Sequence, residues 1–394
     1  MKKSRMNPES LFYIVSITGI VIMFGMLMIS KGKVMYVMGY GESLSCDFWN
    51  HIRRLLQYDD LYGNLKDADA IFPPLAYCFL QLFAQCLRHF DSSVDIATTG
   101  YGILLFCMYL IIFAALFIMV LNYSYGSKSK VRHMILPFIF LFSYPFWGCA
   151  FERGNPVIYA MLFLFIGLMG RNHTNKIIRE IAMICVAFAA GFKLYSALFG
   201  LLWIKERKYK DTLRLLLYGV LAFFAPFVFF GGINGIIDYI GTFTRYMTKE
   251  MYSQTSILGN CITLFGEHGK NIGRAMVCLW ILWVVFKVFS TRGGWKTIAL
   301  LTSTHTILLA ESYVYTYVFI AIPCVLFLNE INKQEKYRTM DYVYAVLFAG
   351  VFTIPPFVNI QSGVLVGIYV CWIGMLVLIS LEEIVKIMKR GRRQ

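Results

Sequence analysis

Residues 100–122 read GYGILLFCMYLIIFAALFIMVLN, 23 consecutive positions without one charged side chain. About 20 apolar residues wound as a helix cross the hydrocarbon layer of a bilayer, so this stretch is expected to span a membrane. Working outward from it, further apolar runs occupy 11–30, 133–150, 155–170, 177–191, 193–204, 213–230, 273–290, 296–310, 313–329, 341–357 and 363–381. The expected fold is therefore all-α, a polytopic bundle of about 12 spans forming a single membrane domain over 1–394. No repeat, low-complexity tract or soluble domain interrupts it.

Composition agrees. Of the 394 residues 58% are hydrophobic and only 15% charged, against about a quarter charged in ordinary soluble domains. The net charge of +15 does not point to nucleic acid, because Lys and Arg gather in the short connections between apolar runs. These connections are the N-terminus with Lys2, Lys3 and Arg5, then 127–133, 171–179, 205–214, 291–296, 332–338 and 386–393. Basic connections mark the cytoplasmic side. Placing all of them there puts both termini in the cytoplasm of a cell whose plasma membrane holds the chain, and it imposes two conditions. The stretch 177–204 must turn back near Phe192–Lys193. The run 73–90 must not cross, and its polar stripe of Gln81, Gln85, Arg88 and His89 suits an interfacial or re-entrant helix whose first turn is preset by Pro73 and Pro74. The first run has no small-residue cleavage site and is expected to be a span, not a removed signal peptide. Most of the ten cysteines sit inside apolar runs as small buried hydrophobes, with only Cys46 and Cys261 in expected external loops.

Two long external segments result, 31–99 and 231–271, together with a short external turn, Glu152-Arg153-Gly154-Asn155-Pro156. Ionisable groups beside spans are functional candidates by default. Asp47 follows the first span, flanked by Phe48 and Trp49, and an N-cap for the next short helix is an equally available role. Arg153 offers a guanidinium suited to phosphate, next to a glycine that permits close backbone approach. Lys193 lies where two short apolar helices meet, placed either to neutralise a phosphate or to snorkel, with Tyr195 beside it. Arg245 is a further cation in the second external segment. Gln254, Ser256 and Asn260 form a neutral polar cluster suited to sugar hydroxyls, although a plain hydrophilic loop looks the same. His305 and Glu311 lie in and just after a span, where a buried histidine bonded to neighbouring Thr or Ser is common. Metalloprotease, serine-hydrolase, P-loop and dinucleotide-binding motifs are all absent.

Five stretches taken in order carry a resemblance. They are Cys46-Asp47-Phe48; Leu61-Tyr62-Gly63 with Phe72-Pro73-Pro74-Leu75; Arg153-Gly154-Asn155; Gly191-Phe192-Lys193-Leu194-Tyr195; and Ser253-Gln254-Thr255-Ser256 running on to Gly259-Asn260. The chain resembles glycosyltransferase superfamily C, integral membrane enzymes using polyprenyl-phosphate-linked sugars, and looks nearest to the bacterial polyprenyl-phosphomannose-type mannosyltransferases. Asn155 stands where that family usually has glutamine, and Tyr195-Ser196 where a proline often follows the lysine.

The resemblance implies a sugar, mannose or another hexose or pentose, moved from a polyprenyl-phosphate donor to a hydroxyl of a glycan or glycolipid acceptor on the outer face. It makes Asp47 the catalytic base and Arg153, Lys193 and Arg245 the donor-phosphate ligands. Glu152, Asn155, Tyr195, Gln254, Ser256, Asn260, His305 and Glu311 become candidates for substrate contact. One base and one displacement imply inversion. No cofactor or metal is needed where lysine and arginine hold the phosphate, although Glu152 beside Asp47 has the makings of a cation site. A transporter or flippase of lipid-linked sugars would use the same basic cavity without a base. A polysaccharide polymerase or ligase usually carries its large external loop late in the chain, whereas here the large loops come first and in the middle.

Overall fold

A computed structural model of the chain describes residues 6–32, 45–57, 60–63, 70–88, 96–126, 129–248, 253, 256–290, 294–308, 313–353, 357–359 and 364–391. Among these the protein is helical, apart from a hairpin in which Phe357–Asn359 pairs antiparallel with Val364–Val366, Phe357 opposite Val366. Among the described residues six helices are long and apolar enough to cross a membrane: Pro8–Ile29, Gly100–Ser124, Tyr209–Phe229, Glu267–Ser290, Val314–Ile331 and Ile368–Lys389. Others are shorter, such as Val157–Gly170, Lys176–Phe192 and Thr339–Thr353.

The Gly100–Ser124 helix shows how an all-apolar run sorts its faces. Leu105, Tyr109, Phe113 and Phe117, spaced by four, are buried. Ile103, Leu104, Met108, Ile111 and Met119 are exposed, as side chains facing lipid tails are. Val157–Gly170 is different: nearly every residue is buried, so this helix is enclosed by protein.

Two expected elements take other shapes. The run 133–150 is not one straight helix. Lys130–Leu141 and Tyr144–Phe151 meet at a 42° bend, where Pro145 has no N–H to continue the ladder. The stretch expected as the second external segment is largely helical among its described residues, with Gly232–Thr248 and Ile257–Phe265 inside it and Glu267–Ser290 starting before its expected end. In the stretch expected as the first, Cys46–Gln57 forms a helix and Pro74–Gln85 another. The latter has 12 residues, a rise of about 18 Å at 1.5 Å each. It buries Ala76, Tyr77, Leu80, Phe83 and Ala84 and leaves Gln85, Arg88 and Leu82 exposed.

Internal contacts group the chain into two compact units, each drawn from separate stretches: Met1–Glu42, Leu121–Cys149 and Tyr252–Gln394 in one, Ser43–Val120 and Ala150–Met251 in the other. In the first, buried Glu9 pairs with Arg132 and accepts from Tyr125 and Asn332, tying the start of Pro8–Ile29 to two connections. Lys287 pairs with Glu383 at 3.1 Å, so a lysine within an apolar helix is neutralised by its neighbour. The second unit contains the charged cluster described next.

Candidate active site

The Cys46–Gln57 helix begins at Ser45, whose N–H donates to the Glu152 carbonyl at 2.5 Å. That bond fastens the helix start to the turn at 152–156. Asp47 lies in the first helical turn, where unpaired backbone N–H groups favour an anion. Arg153 donates to both of its oxygens, Nε to Oδ2 at 2.9 Å and Nη2 to Oδ1 at 2.6 Å. Asn155 Nδ2 adds a third bond, to Oδ2 at 2.7 Å. The Asn155 Oδ1 accepts from the Val157 N–H at 3.0 Å, which fixes the amide so that its NH₂ faces the carboxylate. The Arg153 guanidinium thus makes a planar fork on Asp47.

Gly154 makes this turn feasible. Its φ of +66° is a left-handed conformation, and a Cβ there would lie 2.7 Å from Phe48 Cβ and 2.6 Å from Phe106. The glycine admits Phe48, the residue following Asp47, and Phe106. Burial alone would raise the Asp47 carboxyl, but the Arg153 guanidinium and then the Asn155 amide outweigh it and hold the group below its ordinary value. Asp47 is accordingly an ionised carboxylate, its side chain 14% exposed, with the weakly donating Cys46 thiol 3.5 Å from Oδ1. Burial and the neighbouring Asp47 push that thiol up to about 11.

One helical turn on, sequence reading missed a residue. His51 is buried, its Nδ1 3.0 Å from the Tyr77 hydroxyl and 3.4 Å from Arg54 Nη1. A guanidinium only donates, so Nδ1 is the acceptor and the ring proton sits on Nε2. Burial first, then Arg54, pushes His51 down to about 3, with Lys193 and Arg153 adding to the effect and Asp47 opposing it. The ring is therefore neutral. Phe72 packs against it at 4.3 Å between centroids, and Lys193 Nζ lies 3.8 Å above the Phe72 ring. Lys193 has an extended backbone and ends the Lys176–Phe192 helix, so the expected break at 192–193 is present. The signal that would have found His51 was its spacing, four residues after Asp47 and three before Arg54 on one helix face.

Arg245 joins less directly. It donates to Thr242 Oγ1 at 3.1 Å; Thr242 donates to the Tyr62 carbonyl at 3.2 Å, and the Tyr62 hydroxyl to the Phe72 carbonyl at 2.9 Å. The structure thus brings Asp47, Arg153 and Asn155 into direct contact, sets Lys193 within the same network through Phe72, and attaches Arg245 at its edge. Glu152 is buried in the same turn, and Tyr195 lies two residues past Lys193 in a tight helical turn, Leu194–Gly200. Among the described residues no three His, Cys, Asp or Glu side chains group as metal ligands.

The remaining candidates lie in the other unit or outside the described residues. Ser256 caps Ile257–Phe265 by accepting from the Gly259 N–H, and Asn260 donates to the Ser256 carbonyl at 2.9 Å. His305 is fully buried, with Nδ1 3.0 Å from Thr304 Oγ1. Ile257 N–H donates to the Ile307 carbonyl, which joins the two clusters. Gln254 and Glu311 fall outside the described residues, and both Cys46 and Cys261 are free thiols.

The family model for glycosyltransferase family 87 matches residues 71–323, well over half the chain. The chain belongs to glycosyltransferase family 87. No curated protein and no solved structure matches it. A family 87 member with several membrane-length helices is a membrane glycosyltransferase, a transferase acting on sugars. The match takes in Arg153, Asn155, Lys193, Arg245 and His305, while Asp47 and His51 precede it.

Proposed function

We propose that this glycosyltransferase moves a sugar, mannose or another hexose or pentose, from a polyprenyl-phosphate carrier to a glycan or glycolipid hydroxyl at the outer face of the plasma membrane. The observation that carries the reading is the ionised Asp47 carboxylate, held by Arg153 and Asn155 one helical turn from a patch fronted by Lys193. In this reading the chain is one membrane domain of about 12 spans with cytoplasmic termini, and Pro74–Gln85 lies re-entrant at the outer face.

The acceptor oxygen bonds to the anomeric carbon from the face opposite the phosphate, and the bond from that carbon to the phosphate oxygen breaks. The electron pair leaves with the phosphate and the hydroxyl proton passes to Asp47, so the anomeric centre inverts. A positioned base contributes typically 10²–10⁴-fold. Lys193, with Arg245 at the edge, meets charge growing on the leaving phosphate. Arg153 serves both sides: each hydrogen bond it shifts from Asp47 to the phosphate increases the proton affinity of the carboxylate. Serving phosphate only, as sequence expects, is the narrower role. Asn155 holds the base instead of touching the sugar.

The test is incubation of purified protein with a panel of polyprenyl-phosphate sugars and acceptors, for the wild type and Asp47→Asn. The reading expects one donor to be consumed by the wild type, and Asp47→Asn to bind that donor without product. A panel left intact by the wild type defeats it, and lipid-linked sugar still crossing the bilayer in Asp47→Asn would favour a transporter.

A further inference from the structure

A second cluster of charge lies in the same unit, where the end of Val157–Gly170 meets the end of Leu201–Lys205. Arg171 follows the first of these helices and packs its guanidinium 6.0 Å from the Trp203 ring. Its Nε pairs with Glu206 at 3.1 Å, and Lys208 Nζ pairs with the other Glu206 oxygen at 2.8 Å. Lys208 also donates to the Arg171 carbonyl and the Asn172 side chain, so the two connections are tied together. The turn between them is a helix stop in which Arg207 N–H donates to Ile204 and Lys208 N–H to Trp203. Its left-handed position, φ +56°, is held by Arg207, where glycine is usual.

Two cations therefore share the Glu206 carboxylate, and a third, Lys205, immediately precedes it in the chain. Two donors of this group, Arg171 Nη1 and Lys205 Nζ, are buried with no hydrogen-bond partner among the described residues. Cationic N–H groups withdrawn from water and left unmade are costly. A single phosphate oxygen set would satisfy both, and a guanidinium beside an ammonium is the pairing that phosphate recognition favours.

We propose that Arg171 and Lys205, with Lys208 at the rim, form an anion site for a phosphate group, a phosphodiester headgroup of an anionic lipid or free phosphate, separate from the Asp47 cluster. The site goes beyond the proposed transfer reaction and stands whether or not that reaction is right. Positive-inside topology accounts for basic residues in such connections, but it leaves their side chains solvated and does not bury two donors around one glutamate.

The experiment uses the full chain in nanodiscs of phosphatidylcholine, of phosphatidylcholine with phosphatidylglycerol, and of phosphatidylcholine with inorganic phosphate at matched ionic strength. Thermal unfolding and native mass spectrometry of bound lipid are read for the wild type, Lys205→Met, Arg171→Lys and the exposed control Lys210→Met. The expected result is stabilisation of the wild type and of Lys210→Met by the anion. Apparent affinity should fall at least about tenfold in Lys205→Met and Arg171→Lys. A response to phosphatidylglycerol alone identifies a lipid headgroup; one to phosphate as well identifies a soluble anion. In phosphatidylcholine without anion, Lys205→Met should be at least as stable as the wild type, since it deletes a buried charge. The proposal is overturned if both site variants respond as Lys210→Met does, if the wild type responds to neither anion, or if Lys205→Met unfolds or is destabilised in the absence of anion.

Discussion

Arg153 closes a two-pronged hydrogen bond onto both oxygens of Asp47 across 106 residues of sequence. The pair converts an aspartate in the first turn of a helix into a carboxylate of fixed orientation and low proton affinity. Its partner turn is short, anchored by the Ser45–Glu152 backbone bond, and shaped by one left-handed glycine.

Arg153→Lys should separate charge from geometry. Lysine keeps the cation but loses the fork, so the carboxyl rises from its lowered position. A base is lost as it protonates, so the acid limb of the kcat–pH profile should move to higher pH while the alkaline limb stays. Asn155→Ala should move that limb the same way by less, having removed one bond of three. Profiles that overlay the wild type would show that Asp47 is not the group titrating in the rate.

Gly154→Ala tests the turn. The added methyl meets Phe48 and Phe106 closer than 3 Å at a backbone conformation that alanine resists, a cost of about 1–3 kcal/mol. The fall in kcat should exceed what lost folded protein explains, because Arg153 and Asn155 flank the displaced residue. Gly219 lies within the Tyr209–Phe224 helix with nothing within 4 Å of its Cβ direction. Gly219→Ala should raise stability by up to about 1 kcal/mol and leave turnover alone.

These residues show how far the sequence was legible. Gly100–Ser124 and the five other long helices follow from apolar length, since lipid admits few other solutions. Asp47, Arg153 and Lys193 stood out because charges beside apolar runs are costly without a purpose. The bond between Asp47 and Arg153 was hidden, as a contact over 106 residues leaves no local pattern. Sequence makes Asn155 a candidate sugar ligand, and its amide bonds Asp47 here, because an amide suits either partner. It makes Ser256 one likewise, and the Ser256 hydroxyl accepts from the Gly259 N–H as a helix cap. The bend at Pro145 and the helices within 231–271 depend on packing that period and composition do not encode.

His51 predicts a pH dependence of stability. Its folded value of about 3 lies far below the ordinary 6.5, so on acidification the unfolded chain takes up a proton that the folded chain refuses. The neutral ring's contribution is thus intact above about pH 6.5 and is lost as pH falls towards 3, at about 1.4 kcal/mol per unit. Between pH 6.5 and about 5 the wild type should lose about 2 kcal/mol more than His51→Gln does. Denaturant midpoints in detergent at the two pH values give the difference, and equal losses would place the titration elsewhere.

Lys193 and Arg245 should differ in what their removal does. Lys193 Nζ sits on the face of Phe72, which also packs against the neutral His51 ring, so it joins the network through that ring. Arg245 reaches that network through Thr242 and Tyr62. A cation that meets developing phosphate charge stabilises the transition state more than the bound donor, so Lys193→Gln should lower kcat by about 10²-fold or more. Arg245→Gln, farther from the reacting oxygen, should raise KM for the lipid donor by about tenfold or less with kcat little changed. Phe72→Leu keeps the apolar contact but removes the ring under the ammonium, worth about 0.5–2 kcal/mol. It should produce a weaker version of the Lys193→Gln defect. Steady-state kinetics on the three variants decides the order, and a larger kcat loss in Arg245→Gln than in Lys193→Gln would move the leaving phosphate to the Gly232–Thr248 helix.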